Sequence, residues 1–349
     1  MEAFYPKYYQ DFHCLAGNCP DSCCQSWEVV VDDATYARYL QIPGNFGQAL
    51  QSAMTIDSDG DRILRMENGK CPFWNQDGLC EIELRLGQGG PCATCRKFPR
   101  IVQDYEVFAE HDLSFACPEA VRLVLETETE LPPERYAVNV WPEAYDGGYM
   151  ESLLRARYTA LQILNSNALR FSEKLILCLQ YSQWFQRLTD GEDVQPFAAV
   201  AFPSIQRGNP KDIFRFYENL EILTSEWHNY LNHAVADPPT PADYEAAQPT
   251  LAGLEKQLTR WSCYRLRRCW LQAVADYDVL GKVKRLVCAW AVLHGLLAVT
   301  LRDTGAADLF RLVQLYEKEI EHDGENLDAL DDALFAMPCF AEEKLISLL

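Results

Sequence analysis

Residues 13–24 read HCLAGNCPDSCC, setting Cys14, Cys19, Cys23 and Cys24 within one turn-prone run. The pattern continues through Cys71-x8-Cys80 and Cys92-x2-Cys95 to Cys117, so nine of the 14 cysteines lie at or before position 117. Pro20, Pro72, Gly78, Pro91 and Pro118 flank them. Such residues turn and stiffen the backbone, which lets spaced thiolates converge on one point, as tetrahedral zinc or cubane iron requires. Three readings compete for the nine: inert packed thiols, disulfides and metal ligands. The first suits the remaining five (Cys178, Cys263, Cys269, Cys288 and Cys339), which sit among apolar neighbours. The opening residues, MEAFYPKYYQDFHC, carry no basic-then-apolar leader. The expectation is a cytoplasmic, reducing setting, where clustered cysteines more often bind metal than pair.

The spacing leaves the metal open. Only Cys92 and Cys95 have the C-x2-C spacing of a zinc knuckle, and the uneven gaps fit an iron–sulfur cluster at least as well. A radical-type C-x3-C-x2-C run starts at Cys19 and Cys23 but fails at Ser26. Cys23 and Cys24 are adjacent, so either one is a ligand and the other a packed thiol, or a second site exists.

The 349-residue chain carries a net charge of −20, which argues against a general nucleic-acid binder and against adhesion to anionic membranes. Its longest apolar run, Val287 to Leu301, is 15 residues. A spanning helix needs about 20, so a buried helix is expected. The fold class expected is α+β, mostly α. A cysteine-rich metal- or cluster-binding domain (1–130) packs on a helical domain (131–349), with TELPPERYAVNVWPEAYDGGY as the connection. In the first part, SWEVVVD and RILRM read as strands, Asp32 or Asp33 caps a helix through ATYARYLQ, and Pro118 opens another through PEAVRLVLE. In the second, Ile213, Phe216, Leu220, Leu223, Trp227 and Tyr230 recur at helical spacing, as do Leu309, Leu312, Val313, Tyr316 and Ile320. ADPPTPADYEAAQPT (236–250) reads as a break.

Two charged segments bear on chemistry. Arg260, Arg265, Arg267, Arg268, Lys282, Lys284 and Arg285 crowd a chain that is otherwise acidic. The simpler reading is a solvated face paired with acidic neighbours; the functional one is that these charges balance thiolates or grip a carboxylate. EIEHDGENL brings Glu321, His322 and Asn326 together. Glu321 and His322 are the candidate proton acceptors, and Arg265, Arg268 and Asn326 the candidate cofactor-binding residues. No dinucleotide-type glycine loop is present, since GQGGPC at 87–92 neither follows a clear strand nor opens a helix.

The segments YYQDFHCLAGNCPDSCCQSWEVVVD, CPFWNQDGLCEIELRLG, CATCRKFPR, HDLSFACPEAVRL, YRLRRCWLQAVADYDVLGKVKRLV and EIEHDGENLDAL together resemble the flagellin lysine-N-methylase (FliB-type) family, within the cysteine-cluster zinc- or iron-chelating group. The resemblance implies transfer of methyl groups from S-adenosylmethionine to lysines of flagellin, with an iron–sulfur cluster (4Fe–4S, or zinc as the alternative). It attaches metal ligation to Cys14, Cys19, Cys23, Cys24, Cys71, Cys80, Cys95 and Cys117, and treats Cys92 as extra. The rival reading is a non-catalytic metal-binding protein acting as a redox module or scaffold.

Overall fold

Asp32 organises the first part of the chain in a computed structural model that describes residues 2–25, 27–58, 60–198 and 207–349. Ser26, where the radical-type spacing breaks, lies outside the described residues. The Asp32 carboxylate accepts from Thr35 N at 2.9 Å, capping the helix Asp33–Leu40, and from Ala93 N at 2.8 Å. Those two backbone donors hold its pKa down at about 2. One side chain therefore starts a helix and ties down the loop that carries Cys92 and Cys95.

The fold is α+β and mostly α. Its strands are β1 (Glu2–Phe4), β2 (Val29–Val30), β3 (Met54–Ile56), β4 (Arg62–Leu64), β5 (Arg100–Asp104) and β6 (Phe108–Leu113). They form two small sheets, ordered β1-β6-β5 and β2-β4-β3. Chain contacts divide the molecule into two compact units. One comprises Phe12–Ile101 and Asp112–Ala120, and the other Met1–Asp11, Val102–His111 and Val121–Leu349.

The cysteine-bearing unit packs around the antiparallel β2-β4-β3 sheet, in register Val29↔Leu64 and Val30↔Ile63. Val29 and Val31 are buried while Val30 between them is exposed, the period-2 alternation of a half-buried strand. Val29, Val31, Tyr39, Leu50, Leu64, Phe73 and Ile82 form its core together with Cys71 and Cys92. Asp77 and Gly78 form a turn before Cys80, with Gly78 at φ 72°.

In the larger unit, the 26-residue helix Val279–Thr304 is the central element. Asp278 caps its start by accepting from Gly281 N at 2.8 Å. Gly305, at φ 75°, ends it in the left-handed conformation that glycine adopts without strain. It packs against the helices Phe171–Thr189, Pro241–Gly253, Glu255–Trp270, Leu309–Tyr316 and Gly324–Ala336. By length and composition it could cross a membrane, but its apolar stretch is nearly all buried inside the unit.

Two sequence expectations change here. The periodic run from Ile213 to Tyr230 is two helices, Lys211–Glu218 and Ser225–Ala236, because Thr224 accepts from Trp227 N and starts the second. Apolar spacing persists across the break since both helices bury residues in the same unit. The 236–250 break is largely the helix Pro241–Gly253. Thr240 and Asp243 form a reciprocal capping box, and Pro241 occupies the first turn, where no N–H is missed.

Candidate metal centre and buried charge network

All nine N-terminal cysteines are free thiols within the smaller unit. The Cys92 and Cys95 sulfurs lie 3.6 Å apart. That is near the edge of a tetrahedron built on a metal–sulfur bond of about 2.3 Å. Cys71 N donates to Cys24 O at 2.8 Å, and Cys24 and Cys80 pack against the core that encloses Cys71 and Cys92. Among the described residues, no three His, Cys, Asp or Glu side chains already converge tightly enough to hold a metal ion. The donor chemistry nonetheless fits a thiophilic metal: reduced sulfurs close enough to act on one another, with backbone N–H groups of Phe73, Glu83 and Ile82, Thr94, and Glu119 and Ala120 directed at Cys71, Cys80, Cys92 and Cys117 respectively.

The thiol electrostatics follow from crowding. Burial raises Cys71 to about 12 and Cys117 to about 11, and also raises Cys19 and Cys80. Within each touching pair one thiol is pushed up and its partner held down. Contact with Cys24 raises Cys23 and contact with Cys92 raises Cys95, while Cys24 and Cys92 are lowered to about 7 by those same contacts. A bound cation reverses the upward shifts, because its charge favours thiolate over thiol.

The basic run is not a solvated face. Arg265, Arg267, Lys282, Lys284 and Arg285 are buried, and the carboxylates they meet belong to the protein. Arg265 donates from Nη1 to Glu317 at 3.1 Å and from Nη2 to Glu321 at 2.5 Å. Arg268 Nη1 reaches Glu317 at 2.6 Å and the Tyr264 hydroxyl at 2.9 Å. Arg285 grips Asp331 with two nitrogens, and Lys282 pairs with Asp276. Desolvation of so many cations is costly, so only paired geometry holds them inside. The reading of a solvated face is thereby corrected.

This geometry depends on a π-helical turn, Glu317–Glu321, that continues the helix Leu309–Tyr316. Such turns recur at functional sites. It presents Glu317 and Glu321 to the pair Arg265 and Arg268, which lie three apart on one helix face. Burial pushes the Glu321 carboxyl up, but Arg265, Arg268 and Arg285 together outweigh it and the net pKa falls below the ordinary value. A carboxylate so held is a weak proton acceptor. His322 is exposed at the end of the turn, and desolvation lowers its pKa. Asn326 is buried: its amide donates to the Glu221 and Glu319 carbonyls, both at 2.9 Å, and its oxygen accepts from Glu221 N. For Arg265 and Arg268 to hold a cofactor carboxylate, that carboxylate would have to displace Glu317 or Glu321.

Sequence reading missed Glu317, the carboxylate both arginines share. Its signal is the i, i+4 spacing with Glu321, opposite an i, i+3 arginine pair. It also missed a cleft of about 320 Å³ between the helices Ser225–Ala236 and Val279–Thr304. Leu296, Val299 and Tyr230 line it, and His233 Nε2 meets Asp303 Oδ2 there at 2.5 Å.

The chain is 29% identical over 132 residues to the flagellar biosynthetic protein FliU of Salmonella muenchen, a match covering 34% of this chain and 75% of that protein. It is 29% identical over the same length to the lysine-N-methylases of Salmonella choleraesuis and Salmonella typhimurium, covering 34% of this chain and 31% of each. The match thus spans about a third of the two methylases. No family model matches the chain, and no solved structure matches it. The curated similarity supports a FliB-type relationship.

Proposed function

We propose that this chain is a protein-lysine N-methyltransferase that uses S-adenosylmethionine and acts on flagellin in the cytoplasm, with a thiolate-bound metal centre in its cysteine-bearing unit. The observation that carries this reading is the similarity to two lysine-N-methylases and a flagellar biosynthetic protein. The nine free thiols, several with N–H donors directed at sulfur, support an iron–sulfur cluster or zinc as the metal. Such a centre supplies Lewis-acid or redox character when bound.

Lysine methylation needs a neutral amine, yet free lysine is almost fully protonated near pH 7. An apolar wall disfavours the ammonium, and a nearby base takes its proton. The cleft beside Leu296, Val299 and Tyr230 suits an alkyl chain, and we assign proton acceptance there to His233, oriented by Asp303.

The test incubates anaerobically purified protein with flagellin and S-adenosylmethionine carrying a labelled methyl group. Labelled N-methyl-lysine in flagellin, reduced by His233→Asn, is expected. Metal-replete protein that transfers no methyl group would leave the rival reading, a non-catalytic metal-binding redox or scaffold protein, as the better account.

A further inference from the structure

A second cleft, of about 300 Å³, lies within the larger unit and shares no residue with the one beside His233. It is bounded by the start of the helix Glu255–Trp270, the first turn of the helix Phe171–Thr189, and the chain just after the helices Pro118–Glu126 and Gly147–Leu164. Among the described residues every side chain that lines it is charged or polar. Its size is at the small end of metabolite pockets.

Lys174 lines this cleft although its side chain is only 3% exposed. The ammonium donates to Glu255 Oε1 at 3.0 Å and to Thr259 Oγ1 at 2.8 Å. An ammonium carries three N–H donors, so one is left over, and Thr259, accepting from Lys174, keeps its own O–H to donate. Lys256, Thr259 and Arg260 stand at i, i+3 and i+4 on one face of their helix. Arg260 Nη1 donates to Leu125 O at 2.7 Å, which fixes the guanidinium and leaves its other N–H groups for a ligand. Lys174, Lys256 and Arg260 against Glu128 and Glu255 make the cleft net cationic in a chain of net charge −20. These donors come from two helices as separate points. That suits a tetrahedral phosphate, whose oxygens point apart, better than a flat carboxylate, which favours one planar fork. Glu128, Asn165 and Asn167, from the other two segments, add acceptors and amide donors of the kind that hold hydroxyl groups. No aromatic ring lines the cleft to stack on a nucleobase.

We propose that this cleft binds a small sugar phosphate, its phosphate on Lys174, Thr259, Arg260 and Lys256 and its hydroxyl groups on Glu128, Asn165 and Asn167. The bonds to Glu255 and Thr259 hold the Lys174 ammonium in place before the ligand arrives, which lowers the ordering cost of binding. The site depends neither on methyl transfer nor on a metal centre.

Isothermal titration calorimetry on the full chain, with ribose 5-phosphate, inorganic phosphate and ribose as probes, tests the assignment. Ribose 5-phosphate is expected to bind more tightly than either inorganic phosphate or ribose. Arg260→Gln is expected to weaken it about tenfold, the loss of one charged hydrogen bond. Lys256 is exposed, so Lys256→Gln keeps the fold, checked by an unchanged melting temperature, and is expected to weaken binding about threefold. No binding of ribose 5-phosphate, or binding that both variants leave unchanged, overturns the site. Equal affinity for inorganic phosphate and ribose 5-phosphate overturns the sugar assignment.

Discussion

Arg265 and Glu321 meet at 2.5 Å between Nη2 and Oε1, with the other guanidinium nitrogen 3.1 Å from Glu317, and all three side chains are largely buried. The helix Glu255–Trp270 is thereby joined to the π-helical turn by charges that cannot retreat to water.

Removing one partner of such an arrangement leaves the other charges uncompensated. Arg265→Met is expected to lower unfolding free energy by about 3–5 kcal/mol, read from the denaturant midpoint. A loss under about 1 kcal/mol would show that the network is solvated in solution.

The same pair has a pH signature. The folded pKa of Glu321 lies below its unfolded value, because Arg265, with Arg268 and Arg285, outweighs the opposing effect of burial. A depressed carboxyl contributes stability above the unfolded pKa, about 4.3, and loses it as pH falls through the folded value. The stability gap between wild type and Arg265→Met should therefore narrow on acidification. A gap constant between pH 7 and 3 would contradict the assignment.

His294 offers an independent titration. It stacks on Trp290 at 5.1 Å, and neither ring nitrogen has a hydrogen-bond partner among the described residues. Burial, aided by Arg207, presses its pKa to about 3. The unfolded imidazole, near 6.5, takes up a proton that the folded one refuses, so stability falls as pH drops from about 6.5 toward 3. His294→Leu should flatten the stability profile across that window, as followed by urea unfolding at a series of pH values.

Next along the helix, a Cβ on Gly295 would sit 2.5 Å from Phe214 Cζ and 3.2 Å from the Tyr244 hydroxyl. Gly295→Ala therefore overpacks a closed core, and a cost of about 1–3 kcal/mol is expected despite alanine's better helix propensity. A higher melting temperature in the variant would mean that Phe214 moves aside freely.

Much of the architecture was legible from local chemistry. Asp32 caps a helix because aspartate before an amphipathic run satisfies orphan N–H groups wherever it occurs. The run Leu309, Leu312, Val313, Tyr316 faces the core because helical periodicity survives any packing partner. The Thr224 break was invisible because the apolar spacing on either side stays in phase, and the helix after Pro241 was hidden because proline reads as a stop unless its place in the first turn is known.

The basic run marks the limit. Its residues alone suggest a solvated face, and what buries them is Glu317 and Glu321, about fifty residues later on a turn whose π-helical winding no local pattern announces. The cysteines divide in the same way. By itself the sequence showed that nine thiols gather near turn residues. Which of them are enclosed depends on the Val29–Leu64 core, which takes in Cys71 and Cys92 and has Cys24 and Cys80 packed against it. Helix caps and apolar periodicity are fixed within a few residues of chain. The pairing of a charge or a thiol depends on distances between segments far apart in sequence, and only tertiary packing sets those.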